Sequence, residues 1–173
     1  MSSSNDNDGN PLMAAFFGKL AQIANYDPER DMPERLEVHS DEAHWIGEEI
    51  THNPGRIGCL PALPAKAIEI FLQEIPPGGT SDLQRHTHET IHYVLEGEGH
   101  SEIGPQTVTW RTGSFVYTPV WVWHRHYNDG PGLVKMLTIE ASRLMDALAL
   151  GRRESAGLVS YAEYMARPDA RRT

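Results

Sequence analysis

Between Lys66 and Glu140 the chain breaks into short runs, AIEIFLQEI, IHYVLEG, HSEI, TVTW, SFVYTP, WVWHRHYN and LVKMLTIE. They are separated by PPGG, GEG, GPQ, RTG and NDGPG. Runs this short, rich in β-branched and aromatic residues and punctuated by turn formers, read as antiparallel strands, and several in succession close into a sandwich or barrel. The flanks have a different period. PLMAAFFGKLAQIANY sets Leu12, Phe16, Leu20 and Ile23 at helical spacing, with Pro11 tolerated in the first turn. PERLEVH reads as a second, weaker helix. Residues 51–64 carry three prolines and two glycines and read as an irregular connector. After Glu140 the helical period returns in ASRLMDALAL and SYAEYMARP, with a polar loop at RRESAG between them. Residues 1–10 have almost nothing to bury and read as a disordered tail. The expected division is therefore tail 1–10, helical extension and connector 11–65, β barrel 66–140 and C-terminal helices 141–173, all within one folded unit.

Charge narrows the function. The formal net charge is -9 and no long Lys/Arg run precedes the closing ARRT, so the chain lacks the footprint of a nucleic-acid or anionic-membrane binder. Small molecules or other proteins are the expected partners. A single cysteine, Cys59, cannot form an internal disulfide and suits a reducing compartment. MSSSNDNDGN lacks the basic start of a signal peptide, and LMAAFF is too short to span a bilayer. A soluble, cytoplasmic protein is expected.

The stretch QRHTHETIHYVLEGEG, residues 84–99, carries the chemistry. Residues two apart in a strand share a face. If one strand runs from Gln84 to His88, then Gln84, His86 and His88 point together, with Arg85 and Thr87 opposite. A turn near Glu89 and Thr90 then returns His92 to the same side. WHRHYN repeats the device with His124 and His126. Histidine pairs from two distant strands suit a divalent ion held inside a barrel, because neutral imidazole ligates Fe, Zn, Cu and Ni. His39, His44, His52 and His100 have no such partners and read as ordinary surface or hydrogen-bonded residues.

From Gly78 to Asn128 the sequence resembles the cupin superfamily. The second cupin motif is matched by GSFVYTPVWVWHRHYN, with Gly113, Pro119, His124 and Asn128 in place and Trp121 where the family often has glycine. The first motif fits in two registers. In one, His86 and His88 are its His-x-His and His92 stands in the glutamate slot. In the other, Gln84 and His86 take those places and Thr90 stands for the glutamate. Both keep His86 and His124, and both lack the usual carboxylate. The resemblance implies an all-β double-stranded β-helix, a jelly-roll-like barrel with flanking N- and C-terminal helices. It also implies one metal, with His86, His88, His92 and His124 as ligands in the first register. Fe(2+) is the expected ion, with Zn, Ni, Mn or Co as alternatives. Without a carboxylate the ion keeps its full charge and favours an anionic chelating substrate.

WVWHRH looks like the corresponding part of gentisate-type dioxygenases, which are usually longer and carry two cupin units. Small single-cupin dioxygenases of hydroxylated aromatic ketones or diketones are a comparable match. The implied activity is O2-dependent C–C cleavage of a chelating substrate; a non-redox metal cupin or a ligand-binding cupin is the alternative. His126, one strand step from His124, is a candidate outer hydrogen-bond donor to the site or acid/base, not a ligand. Trp121 and Trp123 fall on the face opposite His124, where they are expected to pack against a helix or a partner subunit, and a homodimer is expected. Glu96 and Glu98 read as solvated turn residues, Arg85 as outward-facing and Cys59 as structural.

Overall fold

The computed structural model describes residues 11–25, 27–30 and 32–170; the expected tail at 1–10 lies outside them. The chain divides after Leu36 into two units. In the first, the spacing of Leu12, Phe16, Leu20 and Ile23 produces helix α1 (Pro11–Ala24). PERLEVH stays irregular, since a seven-residue segment opened by proline cannot offset the entropy of helix nucleation on its own.

The second unit holds β1 (His44–Ile46), α2 (Glu48–Thr51), β2 (Arg56–Cys59), β3 (Glu69–Ile75), β4 (Leu83–His86), β5 (Thr90–Glu96) and β6 (Glu98–Ile103). After them come β7 (Gln106–Arg111), β8 (Phe115–Thr118), β9 (His124–Asn128), β10 (Val134–Glu140), α3 (Ser142–Ala147), β11 (Arg153–Gly157) and α4 (Tyr161–Met165). They form two antiparallel sheets, ordered β1-β2-β3-β10-β5-β8 and β11-β4-β9-β6-β7. This is the all-β core with flanking helices that the strand pattern predicts.

Two segments expected to be irregular are strands. Residues 51–64 contain β2, which pairs with β3 from Arg56↔Glu74 to Cys59↔Phe71; Pro54 and Pro61 flank the run RIGC without interrupting it. RRESAG contains β11, which pairs with β4. It lies at a sheet edge, where polar sequence protects against further pairing and so does not argue for a loop.

The interior is graded along the strands. At one end Ile75, Val94, Trp110, Val116, Val134 and Met136 form a buried apolar cluster. Alternate inward positions then turn polar toward the other end. On β10 Val134 and Met136 give way to Thr138 and Glu140, and on β5 Val94 gives way to His92 and Thr90. The two strands are in register, Met136↔Val94, Thr138↔His92 and Glu140↔Thr90. A single strand period therefore builds a hydrophobic floor and a polar mouth.

Trp121 and Trp123 precede β9 instead of lying in it. Trp121 has φ 60°, a left-handed backbone that disfavours a Cβ, at the place where cupins often carry glycine. Its main-chain N–H donates to the His86 carbonyl at 2.7 Å. The Arg85 guanidinium stands 4.5 Å above the Trp121 ring and 4.7 Å above Trp123, and pairs with Glu154 at 2.6 Å. Trp123 also meets Tyr164 of α4 at 4.5 Å. Being only 8 % exposed in one chain, Trp123 offers no subunit surface, and packing against a flanking helix is its role. No helix among the described residues is long and apolar enough to cross a membrane.

Gly99 tests this packing. It pairs across β6 and β9 with Asn128, and an added Cβ would overlap the Tyr127 carbonyl and approach Trp110 Cη2 at 2.6 Å. Gly99→Ala is expected to destabilise the protein by about 3 kcal/mol or more, read as a lowered urea midpoint.

Candidate metal centre

The polar mouth opens into a cavity of about 400 Å3 lined by, among others, Ile46, Ile50, Phe71, Gln84, His86, His88, Thr90, His92, His124, Glu140 and Arg153. Strand β4 ends at His86, so His88 lies beyond it and not on a continuous strand from Gln84, as the sequence suggests. The turn nevertheless brings it back: the His86 and His88 rings stack at 4.0 Å and 8°. His124, paired with β4 through Gln84↔His124, places its ring 4.7 Å from that of His86.

Hydrogen bonds settle which nitrogens are free. His86 Nδ1 lies 2.7 Å from the His88 carbonyl and His124 Nδ1 lies 2.9 Å from the Val122 carbonyl. A carbonyl only accepts, so both Nδ1 atoms carry the proton and both Nε2 atoms keep a lone pair. His92 Nδ1 meets Thr138 Oγ1 at 2.9 Å. His126 Nδ1 meets Ser101 Oγ at 2.7 Å, itself bonded by Trp110 Nε1 at 2.8 Å. The Nε2 atoms of His92, His124 and His126 are buried with no hydrogen-bond partner. Such orphaned atoms cost free energy unless something satisfies them, and a cation beside imidazole lone pairs does so. The donor set therefore fits a divalent metal.

The four imidazoles do not meet as one set. His86, His88 and Glu140 form a trio whose donor atoms all lie within 4.8 Å of one another, with no other such group among the described residues. His124 adjoins it through His86. His92 stands deeper, its ring 4.4 Å from that of His126. His126 is 1 % exposed and does not line the cavity, so it cannot touch a substrate there. Its place behind His92 suits the outer hydrogen-bond donor of the two roles expected of it.

Four contributors escape the motif reading. Glu140 Oε2 stands 3.2 Å from His88 Nε2, and Thr138 holds His92. Arg153 donates through Nε to Gln84 Oε1 at 2.8 Å and through Nη2 to buried Asp82 at 3.0 Å. Gln84 thus turns its one ligating atom toward Arg153. The sequence signal for Glu140 was its inward parity on LVKMLTIE; Arg153 had none, since its segment reads as loop. His52 borders the cavity, whereas His100 pairs with Asp129 at 2.6 Å on the outside.

Comparison with known proteins identifies the fold. Residues 71–140 match the family model of the cupin domain. These residues are a cupin domain. The chain is 33% identical over 81 residues to gentisate 1,2 dioxygenase 1 of Aquipseudomonas alcaligenes, covering 46% of this chain and 23% of that one. It is 36% identical over 57 residues to 1-methylthio-D-xylulose 5-phosphate methylsulfurylase of Rhodospirillum rubrum, covering 33% and 36%. The chain spans about a quarter of the length of the gentisate dioxygenases it matches. Among solved structures, a cupin-2 domain from Rhodospirillum rubrum superposes with TM-score 0.59 at 18% identity, over 82% of this chain and 93% of that one. Salicylate 1,2-dioxygenase from Pseudaminobacter salicylatoxidans gives 0.54 at 16% identity, over 84% and 49%. Both share the cupin fold.

Burial sets the protonation of the imidazoles. It pushes His92 from 6.5 down to about 3, helped by the neighbouring His124 and His86. Burial first, then adjacent imidazoles, holds His124 and His126 well below 6.5. His86 is lowered by burial and then by His88. In the unfolded chain the same groups take protons near pH 6.5, so below that pH the unfolded state binds more protons and stability falls with pH. The metal-free protein is expected to lose up to about 1.4 kcal/mol per pH unit for each such histidine as pH drops from about 6.5. A urea midpoint that does not move between pH 7.5 and pH 5 would contradict neutral burial.

Proposed function

We propose that this cupin domain is an Fe(II)-dependent dioxygenase that cleaves a C–C bond of a small chelating substrate, an oxygen-rich aromatic or a hydroxyketone or diketone. The observation that carries the reading is the set of imidazoles with free or orphaned Nε2 atoms in and behind the wall of a partly open cavity, in a chain similar to gentisate 1,2-dioxygenases. His86 and His124 are the donors with fixed tautomers, and His88 and His92 flank them. Fe(II), when bound, supplies the O2 activation that side chains alone lack.

The chain's own groups do the rest. Ile46, Ile50, Ile57 and Phe71 give the cavity an apolar wall against which a flat substrate loses water. Arg153, braced by Gln84 and Asp82, presents its remaining N–H groups to substrate oxygens at the rim. Glu140 stays ionised: burial would raise its pKa, but hydrogen bonding and charge from His88 outweigh that and lower it. A second reading, a non-redox metal cupin, is favoured by the likeness to a methylsulfurylase.

Protein reconstituted anaerobically with Fe(II) is expected to consume O2 with catechols, gentisates or hydroxyacetophenones in an oxygen-electrode screen. No uptake with any chelator, despite bound iron, would favour the second reading. His124→Ala is expected to lower metal affinity by more than about 100-fold, beyond the range of an outer hydrogen-bond partner, measured by titration with a chelator competitor.

A further inference from the structure

We propose that Glu140 is the anionic donor of this centre, supplying from the end of β10 the carboxylate that neither register of the first motif places on β5. The proposal rests on the metal reading above. Its first support is register. Glu140 is the direct cross-strand partner of Thr90, which stands in the glutamate slot of one register. Directly opposed residues share a face with Cβ atoms about 4.5–5.5 Å apart. A carboxylate lost at position 90 thus regains the same space from one strand over. Thr90 is 1 % exposed, and its Oγ1 has no partner, so the slot remains polar and inward.

Spacing is the second support. Glu140 Oε2 and His88 Nε2 stand 3.2 Å apart. Charge-assisted N–H···O bonds run about 2.7–2.9 Å. Two donors each about 2.1 Å from one ion, at angles between octahedral and tetrahedral, lie about 3.0–3.4 Å apart. The observed separation is at the long end of an ordinary N–H···O bond and within the range of two donors to one ion, so it leaves room for an ion between them, and His86 completes a trio within 4.8 Å.

Charge is the third. Two carboxylates line the cavity, Asp82 and Glu140. Asp82 is matched by Arg153 at 3.0 Å and Ser155 at 2.6 Å. Glu140, with its side chain 13% exposed, meets no Arg or Lys among the described ion pairs. A largely buried carboxylate with no Arg or Lys against it is costly, and a divalent ion reduces that cost. With Asp82 and Arg153 cancelling, a +2 ion and Glu140 leave the centre near +1, not the full +2 expected from the motif alone.

The test uses Co(II), whose visible bands report its ligand set independently of turnover. Wild type, Glu140→Gln and the double variant Thr90→Glu/Glu140→Gln are titrated anaerobically with Co(II). Wild type is expected to bind one Co(II). Glu140→Gln is expected to bind at least about 10-fold more weakly with altered bands, and the double variant to recover affinity, because the carboxylate returns to the neighbouring strand. Equal affinity and unchanged bands in Glu140→Gln overturn this proposal while leaving the metal reading intact. No Co(II) uptake by wild type overturns both. Should the variants fail to fold, the infrared difference spectrum of wild type with and without Zn(II) decides. A shifted carboxylate stretch supports ligation by Glu140, and an unshifted one refutes it.

Discussion

Two hydrogen bonds organise the site: Nδ1–H of His86 to the His88 carbonyl and Nδ1–H of His124 to that of Val122. Each fixes a tautomer, and each therefore fixes where a lone pair points. Both acceptors are main-chain atoms two residues away, so the backbone path around each histidine sets its chemistry. For His124 that path is the unusual turn through Trp121. For His86 it is the turn that ends β4 and brings His88 back onto the His86 ring. The left-handed conformation at Trp121 costs on the order of 1 kcal/mol. It persists because the Trp121 N–H holds the His86 carbonyl and Arg85 lies across the Trp121 and Trp123 rings. The two histidine-bearing segments are thus tied through backbone as well as through sheet pairing.

The graded barrel explains how such a site is tolerated. The apolar end, with Ile75, Val94, Val134 and Met136 at 0 % exposure, carries the burial that stabilises the fold. The imidazoles sit at the other end, where the Nδ1 atoms of His86, His92, His124 and His126 each meet an oxygen. Stability and site chemistry therefore occupy different lengths of the same strands. Thr138 and Ser101 mark the junction, small hydroxyl residues that orient His92 and His126 and fill little volume.

Much of this was legible before any coordinates. The turn-punctuated runs yield strands β3 and β5 to β10, because alternation and turn chemistry are local signals. His86, His88, His92 and His124 as cavity-lining residues follow from local parity and two short motifs. What escaped is non-local. That RIGC and RRESAG are strands depends on pairing with β3 and β4, and for RRESAG the edge position removes the need for an apolar pattern. That His88 stacks on His86 follows from a turn, not from strand parity. The sequence places Trp121 in a strand because nothing in its neighbours announces a positive φ.

Glu140 shows the same limit most sharply. The missing carboxylate was inferred from one segment, as though a site's charge had to reside within its motif. In an antiparallel sheet the neighbour across the ladder is as near as the residue two positions along the chain, about 5 Å against about 7 Å. A lost side chain can therefore be replaced from a strand distant in sequence without altering the barrel. The absence of a charge from a motif is a statement about one strand. The charge of the centre is a property of the register between two, and here that register sets Glu140 opposite Thr90.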